Sequence, residues 1–317
     1  MRKEAVSRAL RLSFAGVIFL VLVLLIWLMA MTLLTLKDKG VPVLIYHNFS
    51  WSNNVSGNNK MLTERNAFIG QMDYLYNNGY QVIPLQSLLK YMSTGEPVLE
   101  KAVVITIDDG YESNYTLAFP ILKQYNFPAT IFLIAGKVGS NRPDEPAMLS
   151  WMEMREMEQS GLVDIQAHSF DLHHKVYENR EQTLQGPAVV TRAYLPDRGR
   201  RETATEYNDK LYQDFIQART VIESNLHKQV DTMAWPSGAY NLTALRLARE
   251  AGFKYLVTIR TGMNQRGDNV QAVRRINVDG QISPAGFAEL LEPDRSYIRQ
   301  FRHVAFRYFH HLVEVFL

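Results

Sequence analysis

The sequence contains no cysteine, and it has almost no excess charge of either sign. The first absence excludes disulfide bonds, thiolate metal sites and a cysteine nucleophile, and it suits a chain that works outside the reducing cytosol. Lysine and arginine number 34 against 32 acidic residues, for a net charge of +2. Nucleic-acid-binding proteins concentrate positive charge, so we expect no nucleic-acid partner. No glycine-rich phosphate loop follows any apolar segment, which weakens a nucleotide-binding interpretation.

The chain has the length and the apolar content of a globular protein. Its 317 residues suffice for one large domain or two small ones, and 47% of them are hydrophobic while 21% are charged. This composition provides a sizeable core and excludes a disordered or fibrous protein.

One long apolar run stands near the start of the chain, at residues 12–36, and it carries no charge. A helix of that length spans the roughly 30 Å hydrocarbon core of a bilayer. A cleaved signal peptide, the alternative, has a shorter apolar stretch and a small-residue cleavage site, and Ala30-Met31-Thr32 is a poor one. Basic residues are more numerous before the run than after it, at Arg2, Lys3, Arg8 and Arg11 against Lys37 and Lys39. We therefore predict a cytoplasmic N-terminus over residues 1–11, a single-pass anchor in the cell membrane over 12–36, and an extracytoplasmic remainder.

The rest of the chain alternates between strand-like and helix-like segments. Apolar segments that indicate strands lie at residues 41–46, 81–83, 102–107, 129–134, 163–167, 232–235, 255–259 and 271–278, and helices are indicated at 63–79, 113–125, 150–161, 205–226 and 242–251. Such alternation predicts an α/β domain with a parallel sheet. About seven or eight units favour a single distorted (β/α) barrel over residues 41–292, with the polar stretch 174–205 as an inserted loop. The basic amphipathic segment 293–317 is compatible either with the membrane surface or with a helix packed on the barrel.

Candidate reactive side chains stand where two of these strands end. Asp108-Asp109-Gly110 follows the clearest strand, and His168 follows another, with His173 five residues later. The carboxyl ends of barrel strands share one face, which is where barrel enzymes carry their chemistry. Two adjacent carboxylates there are costly unless they are paired or bound to metal, although Asp-Gly is also a common turn dipeptide. Imidazoles with a carboxylate form a familiar zinc set that leaves one position open.

Three motifs in this order resemble those of the polysaccharide deacetylases, the NodB-homology family or carbohydrate esterase family four. The segment 106–110, Thr-Ile-Asp-Asp-Gly, resembles the first motif, the segment from His168 to His173 resembles the second, and the segment 235–238, Trp-Pro-Ser-Gly, resembles the third. The histidines stand five apart instead of the usual four, since residue 172 is Leu. This spacing is similar to that of the branch acting on the biofilm polymer poly-N-acetylglucosamine.

Two features of the common family pattern are absent. No arginine precedes the Pro-x-Gly of the third motif, and no late Leu-x-His follows. In the biofilm-polymer branch an early Tyr-His supplies that histidine, and Tyr46-His47 matches it. The resemblance spans about residues 41–290.

The resemblance implies a role for each matched residue. Asp109, His168 and His173 would bind a divalent metal ion, for which we expect Zn²⁺, and His174 is an alternative to His173. Asp108 would take the proton of the attacking water and His47 would protonate the departing amine. The backbone N–H of Tyr111 would help to hold the oxyanion.

A further group of residues is expected to contact substrate or to support the base. Trp235, Pro236 and Gly238 would shape one wall of the groove. Trp235 and Tyr240 either stack on sugar rings or pack beside the sheet. Arg275 either steadies Asp108, in place of the missing arginine, or forms a surface salt bridge.

The resemblance implies a membrane-anchored, metal-dependent hydrolase that removes N-acetyl groups from an extracellular N-acetylglucosamine polymer of the biofilm type. The expected partners are the polysaccharide, the lipid bilayer, and a polysaccharide synthase or export machinery. The alternatives are a deacetylase of peptidoglycan or chitin oligosaccharides and an inactive glycan-binding barrel. Loss of the metal ligands or the base would mark the inactive protein, and all of them are present.

Overall fold

The structure is a computed structural model that describes residues 21–29, 40–51 and 60–291. The chain divides into a unit before Val41 and a larger unit that begins there. In the first unit a helix, α1, is described over residues 21–29. Within the described ranges, no helix is both long and apolar enough to cross a membrane. The predictions for residues 1–11, for most of 12–36 and for 293–317 lie outside the described residues.

The second unit is an α/β domain. Its strands are β1 (Val43–Tyr46), β2 (Asn48–Ser50), β3 (Leu62–Glu64), β4 (Gln81–Val82), β5 (Ala102–Asp109), β6 (Ala129–Leu133), β7 (Val163–Ala167), β8 (Lys175–Tyr177), β9 (Gln185–Pro187), β10 (Tyr194–Leu195), β11 (Arg200–Arg201), β12 (Thr232–Ala234), β13 (Tyr255–Val257) and β14 (Ile276–Asn277). Its helices are α2 (Arg65–Asn77), α3 (Leu85–Thr94), α4 (Phe119–Tyr125), α5 (Trp151–Gln159), α6 (Ala204–Leu226), α7 (Leu242–Glu250) and α8 (Pro284–Leu291), and a π-helix (Asn114–Ala118) precedes α4.

Seven parallel strands form the main sheet in the order β13-β12-β7-β6-β5-β1-β14, and β4 also pairs with β5. The sheet curls, and its two edges meet where Val273 bridges Val257 and the N–H of Arg275 donates to the carbonyl of Arg260. The predicted parallel α/β architecture is confirmed. The expected distorted barrel of seven or eight units is found as a curled half-barrel of seven strands. Its edges touch only through a short bridge, and its last strand, β14, is only two residues long.

The two faces of the sheet have separate cores, as the pleat requires. Along β5, Val103, Ile105 and Ile107 join the large core under the outer helices, while Ala102 and Val104 point to the concave side. There they meet inward-facing residues of β1, β6, β12 and β13 and the apolar face of α3. The short helix α3 was missed by the sequence analysis.

Local capping signals place two of the helices. Ser150 and Glu153 form the predicted capping box at the start of α5, in which each satisfies a backbone group of the other. Thr203 and Glu206 form a second capping box at α6. The polar stretch 174–205, predicted as a loop without regular structure, instead contains two short antiparallel pairs, β8-β9 and β10-β11.

Candidate functional site

The two aspartates stand at the carboxyl end of β5, in the middle of the sheet. Asp108 lies on the concave face of the sheet, as Val104 does four residues earlier in β5, and it is buried. Asp109 has a φ of 74°, and the N–H of Gly110 donates to the carbonyl of Asp108 at 3.0 Å. A hydrogen bond over two residues with this φ defines a classic γ-turn, a rare and strained conformation. The turn brings Asp109 out of the strand alternation that would otherwise place it on the opposite face from Asp108.

Asp109, His168 and His173 form a group that could hold a metal ion. Their candidate ligand atoms all lie within 4.8 Å of one another. The Oδ1 atom of Asp109 is 3.7 Å from Nε2 of His168 and 3.6 Å from Nε2 of His173. That oxygen is buried and has no hydrogen-bond partner among the described residues. A buried carboxylate oxygen that faces two imidazole nitrogens fits a shared divalent cation, and a carboxylate with two imidazoles is a set that zinc accepts.

The ring of His168 is held in the orientation that a ligand needs. Its Nδ1 lies 2.8 Å from the carbonyl oxygen of Ala234, at the end of the neighbouring strand β12. A carbonyl can only accept, so Nδ1 carries the proton and Nε2 presents its lone pair toward Asp109. Burial lowers the pKa of His168, which favours the neutral imidazole that binds metal.

A residue that the sequence analysis missed, Asp214 of α6, holds the loop between the two histidines. Its Oδ1 accepts from the backbone N–H of Phe170 at 2.9 Å, and its Oδ2 accepts from that of Asp171 at 2.7 Å. Burial raises the pKa of this carboxyl to about 6. Ser169, with a φ of 72°, begins the sharp bend of the same loop. The only local signal is an acidic residue on the buried face of a helix, which does not reveal its distant partner.

Arg275 faces Asp108 in a fork-to-fork pair. Nη1 and Nη2 donate to the two carboxylate oxygens at 2.6 and 2.8 Å, Nη1 also donates to the hydroxyl of Thr106, and Nε donates to the carbonyl of Thr258. The guanidinium lies 5.4 Å from the centre of the Phe132 ring and is fully buried. Burial alone would raise the pKa of Asp108, but the charge and hydrogen bonds of Arg275 outweigh it and hold that pKa well below its usual range. Of the two alternatives for Arg275, the structure places it against the aspartate and not on the surface.

His47 and Tyr111 lie beside this centre. His47 is half-buried and directly follows β1, and because Tyr46 pairs with Ile107, the next residues along the two chains are His47 and Asp108. Burial, with the charge and hydrogen bonding of Asp109, raises the pKa of the Tyr111 hydroxyl. His174 is exposed, and its Nδ1 lies 2.7 Å from the carbonyl oxygen of Asp171. The metal-ligand group therefore contains His173 and not His174.

The first two residues after β12, Trp235 and Pro236, belong to the buried core and not to an exposed surface. Trp235 is completely buried and stacks on Tyr240, with ring centres 5.3 Å apart. Of the two alternatives for Trp235, the structure shows packing, because the side chain is fully buried. Pro236 is also buried, whereas Tyr240 is partly exposed. Gly238 has a φ of 66°, and the side chain of Ile259 lies where its Cβ would be, so this bend requires glycine.

We expect Asp214→Asn to weaken metal binding by about 10-fold or more, because an amide NH₂ would replace one of the two acceptors that shape the histidine loop. Competition with a chromophoric chelator measures the metal affinity. Asp209→Asn makes the same change at an exposed position of the same helix and is expected to leave the affinity unaltered. Equal affinities for the two variants would show that Asp214 does not position the ligands.

Comparison with known proteins identifies relatives of this domain. A protein-family model described as polysaccharide deacetylase matches residues 95–256. The poly-beta-1,6-N-acetyl-D-glucosamine N-deacetylase of Escherichia coli (strain K12) is 28% identical over 261 residues, which cover 79% of this chain and 38% of that protein. The chain thus spans well under half the length of this curated relative.

Solved structures show the same fold. A de-N-acetylase from Aggregatibacter actinomycetemcomitans matches with a TM-score of 0.70 and 30% identity, over 79% of this chain and 99% of the other. A deacetylase domain from Bordetella bronchiseptica matches with a TM-score of 0.65 and 26% identity, over 76% and 96% of the two chains. The family match over half of the chain, together with a 30% identical structure covered almost completely, establishes that the chain belongs to the polysaccharide deacetylase family.

Proposed function

We propose that this protein is a metal-dependent N-deacetylase of a poly-N-acetylglucosamine polymer of the biofilm type. The observation that carries the proposal is the group of Asp109, His168 and His173 directly beside the buried pair of Asp108 and Arg275. The substrate class follows from similarity to proteins named as poly-beta-1,6-N-acetyl-D-glucosamine N-deacetylases and from the five-residue spacing of the histidines.

The reaction is hydrolysis of an acetamide, which has a weakly electrophilic carbonyl and a poor leaving group. A divalent ion held by Asp109, His168 and His173, which we propose to be zinc, would polarise the carbonyl and lower the pKa of a water. Asp108 accepts the proton of that water as it attacks the carbonyl carbon. His47, at the end of a different strand, donates a proton to the nitrogen as the carbon–nitrogen bond breaks. The products are acetate and a free amine on the polymer.

The backbone N–H of Tyr111 is oriented for a third role. Tyr111 and Met148 form an antiparallel bridge whose hydrogen bonds are made by the neighbouring residues: Leu149 donates to Gly110, and Glu112 donates to Ala147. In such a non-hydrogen-bonded pair the N–H of Tyr111 points away from the opposite strand. An N–H in this place supports donation to the oxyanion that develops on the acetyl oxygen.

We further propose that the apolar run 12–36 anchors the protein in the cell membrane, with the catalytic domain outside the cytoplasm. There it would meet a polymer delivered by a polysaccharide synthase or export machinery.

A reporter enzyme that works only outside the cytoplasm, fused after residue 317, is expected to be active. The same reporter joined to residues 41–317 alone is the control and is expected to be inactive. Activity of the full-length fusion in a cytoplasmic reporter assay would overturn this topology.

Acetate release from purified polymers tests the function. We expect release from poly-N-acetylglucosamine, loss of release with a chelator, and recovery when a divalent metal is restored. His173→Ala is expected to lose bound metal and activity together, because it removes one of three protein ligands. The adjacent His174→Ala is the matched control and is expected to retain both.

Two other results would contradict the proposal. Full metal occupancy in His173→Ala would show that the ligands are misassigned. Faster acetate release from peptidoglycan or chitin oligosaccharides than from poly-N-acetylglucosamine would overturn the substrate class but leave the chemistry in place.

The pH profile tests the pairing of Asp108 with Arg275. Asp108 must be ionised to accept a proton, so activity is present above its pKa and is lost as the pH falls through it. Arg275→Gln removes the largest of the effects that offset the burial of Asp108, and we expect the acidic limb of kcat/KM to move up by roughly 1–3 pH units. Arg274→Gln removes a neighbouring, exposed arginine and is expected to leave the limb in place. An unchanged limb in Arg275→Gln would exclude Arg275 as the group that keeps Asp108 ionised.

A further inference from the structure

The loop after β5 and the loop after β1 are joined by three side-chain hydrogen bonds. The hydroxyl of Ser113 donates to Oδ1 of Asn48 at 2.7 Å and accepts from the backbone N–H of Phe49 at 3.0 Å. Nδ2 of Asn114 donates to the backbone carbonyl of His47 at 2.8 Å. We call Ser113 and Asn114, with these three bonds, the clasp. It ties the segment that follows both aspartates to the segment that contains His47.

Sheet pairing does not hold His47 itself. The ladder between β1 and β5 ends at Tyr46, which pairs with Ile107, and β2 then pairs with β3 in a separate sheet that starts at Asn48. His47 is the single residue between these two sheets. The clasp supplies the backbone contact that the ladders do not, because Asn114 takes up the His47 carbonyl.

The clasp is built into an unusual piece of backbone. Asn114 is the first residue of the π-helix and is almost completely buried, at 1% exposure. A π-helix closes its backbone hydrogen bonds over five residues instead of the four of an α-helix, and such turns are frequent at functional sites. The amide of a buried asparagine is costly to desolvate, and only one of its two polar ends has a partner among the described residues. Packing alone therefore gives no reason for an asparagine here.

We propose that Ser113 and Asn114 are positioning residues that set the reach of His47 toward the site of Asp108. The inference rests on the proposed function, in which His47 protonates the departing amine. Proton donation requires His47 within hydrogen-bond reach of the nitrogen, and a displacement of about 1 Å can lower the rate by roughly 100-fold. Because the side-chain hydrogen bonds described for these two residues go to Asn48, Phe49 and His47 and not to the metal-ligand group, loss of the clasp should spare metal binding.

The test compares turnover of an acetamide polymer with turnover of an activated aryl acetate, whose leaving group needs no proton. Asn114→Ala is expected to lower kcat on the polymer by about 10- to 100-fold and to leave the aryl acetate rate within about threefold of wild type. Metal content should not change. The double variant His47→Ala with Asn114→Ala should be no slower on the polymer than His47→Ala alone, because the clasp acts through His47.

Two controls keep the inference distinct from a general loss of structure. Tyr46→Phe removes a buried hydrogen bond to Gln71 next to His47, and it should affect the two substrates equally. Ser113→Ala, at a half-buried position, should show the same substrate selectivity as Asn114→Ala, and it provides the test if Asn114→Ala does not fold.

The outcomes separate this inference from the proposed function. If wild type releases no acetate from the polymer, the proposed function fails. If wild type is active and His47→Ala is selectively slow on the polymer, then an equal loss on both substrates in the clasp variants, or additive losses in the double variant, overturns the clasp alone. If His47→Ala shows no selectivity, His47 is not the acid and the clasp has no such role.

Discussion

The buried ion pair between Arg275 and Asp108 links the last strand of the sheet to the strand that carries both aspartates. Arg275 lies in the segment where the two edges of the curled sheet meet, and its side chain crosses the concave face to Asp108. A charge enclosed in this way is tolerated only when it is paired and its hydrogen bonds are satisfied, and each partner provides this for the other. The same ion pair thus joins β5 to the segment at the edge of the sheet and keeps Asp108 ionised.

Strained backbone accompanies this arrangement after three of the strands. Asp109, Ser169 and Ser237 are non-glycine residues with positive φ, at the end of β5, shortly after β7 and shortly after β12, respectively. Such conformations cost of order 1–3 kcal/mol each and persist where the surroundings over-determine them. Here the surroundings include the γ-turn hydrogen bond at Asp109 and the two bonds from Asp214 that hold the loop after Ser169. The γ-turn at Asp109 lets adjacent aspartates face different partners: Asp108 faces Arg275, and Asp109 faces the two histidines.

The site divides into two halves that are supported separately. One half consists of the metal-ligand group, whose imidazole rings are oriented by the carbonyl of Ala234 and by the loop bound to Asp214. The other half consists of Asp108 and His47, which are supported by Arg275 and by the clasp. Because the two halves are supported by different residues, the role of each supporting residue can be tested on its own.

Short-range patterns in the sequence were enough to predict the parallel α/β fold and the neighbourhood of Asp109, His168 and His173. Strand periodicity places such residues at strand ends, and parallel strands bring those ends to one face. The same patterns could not decide between His173 and His174, between sugar stacking and packing for Trp235, or between a surface and a buried Arg275. Those choices depend on partners that are distant in the sequence, such as Asp108, which is 167 residues from Arg275. Asp214 was missed for the same reason, since its partners lie on a distant loop. The helix α3 was missed although Leu85, Leu88, Leu89 and Met92 stand at helical spacing in the sequence. The sequence by itself thus determined which residues are candidates for the chemistry, and the tertiary structure alone decided how each is held, because orientation, burial and pKa are set by long-range contacts.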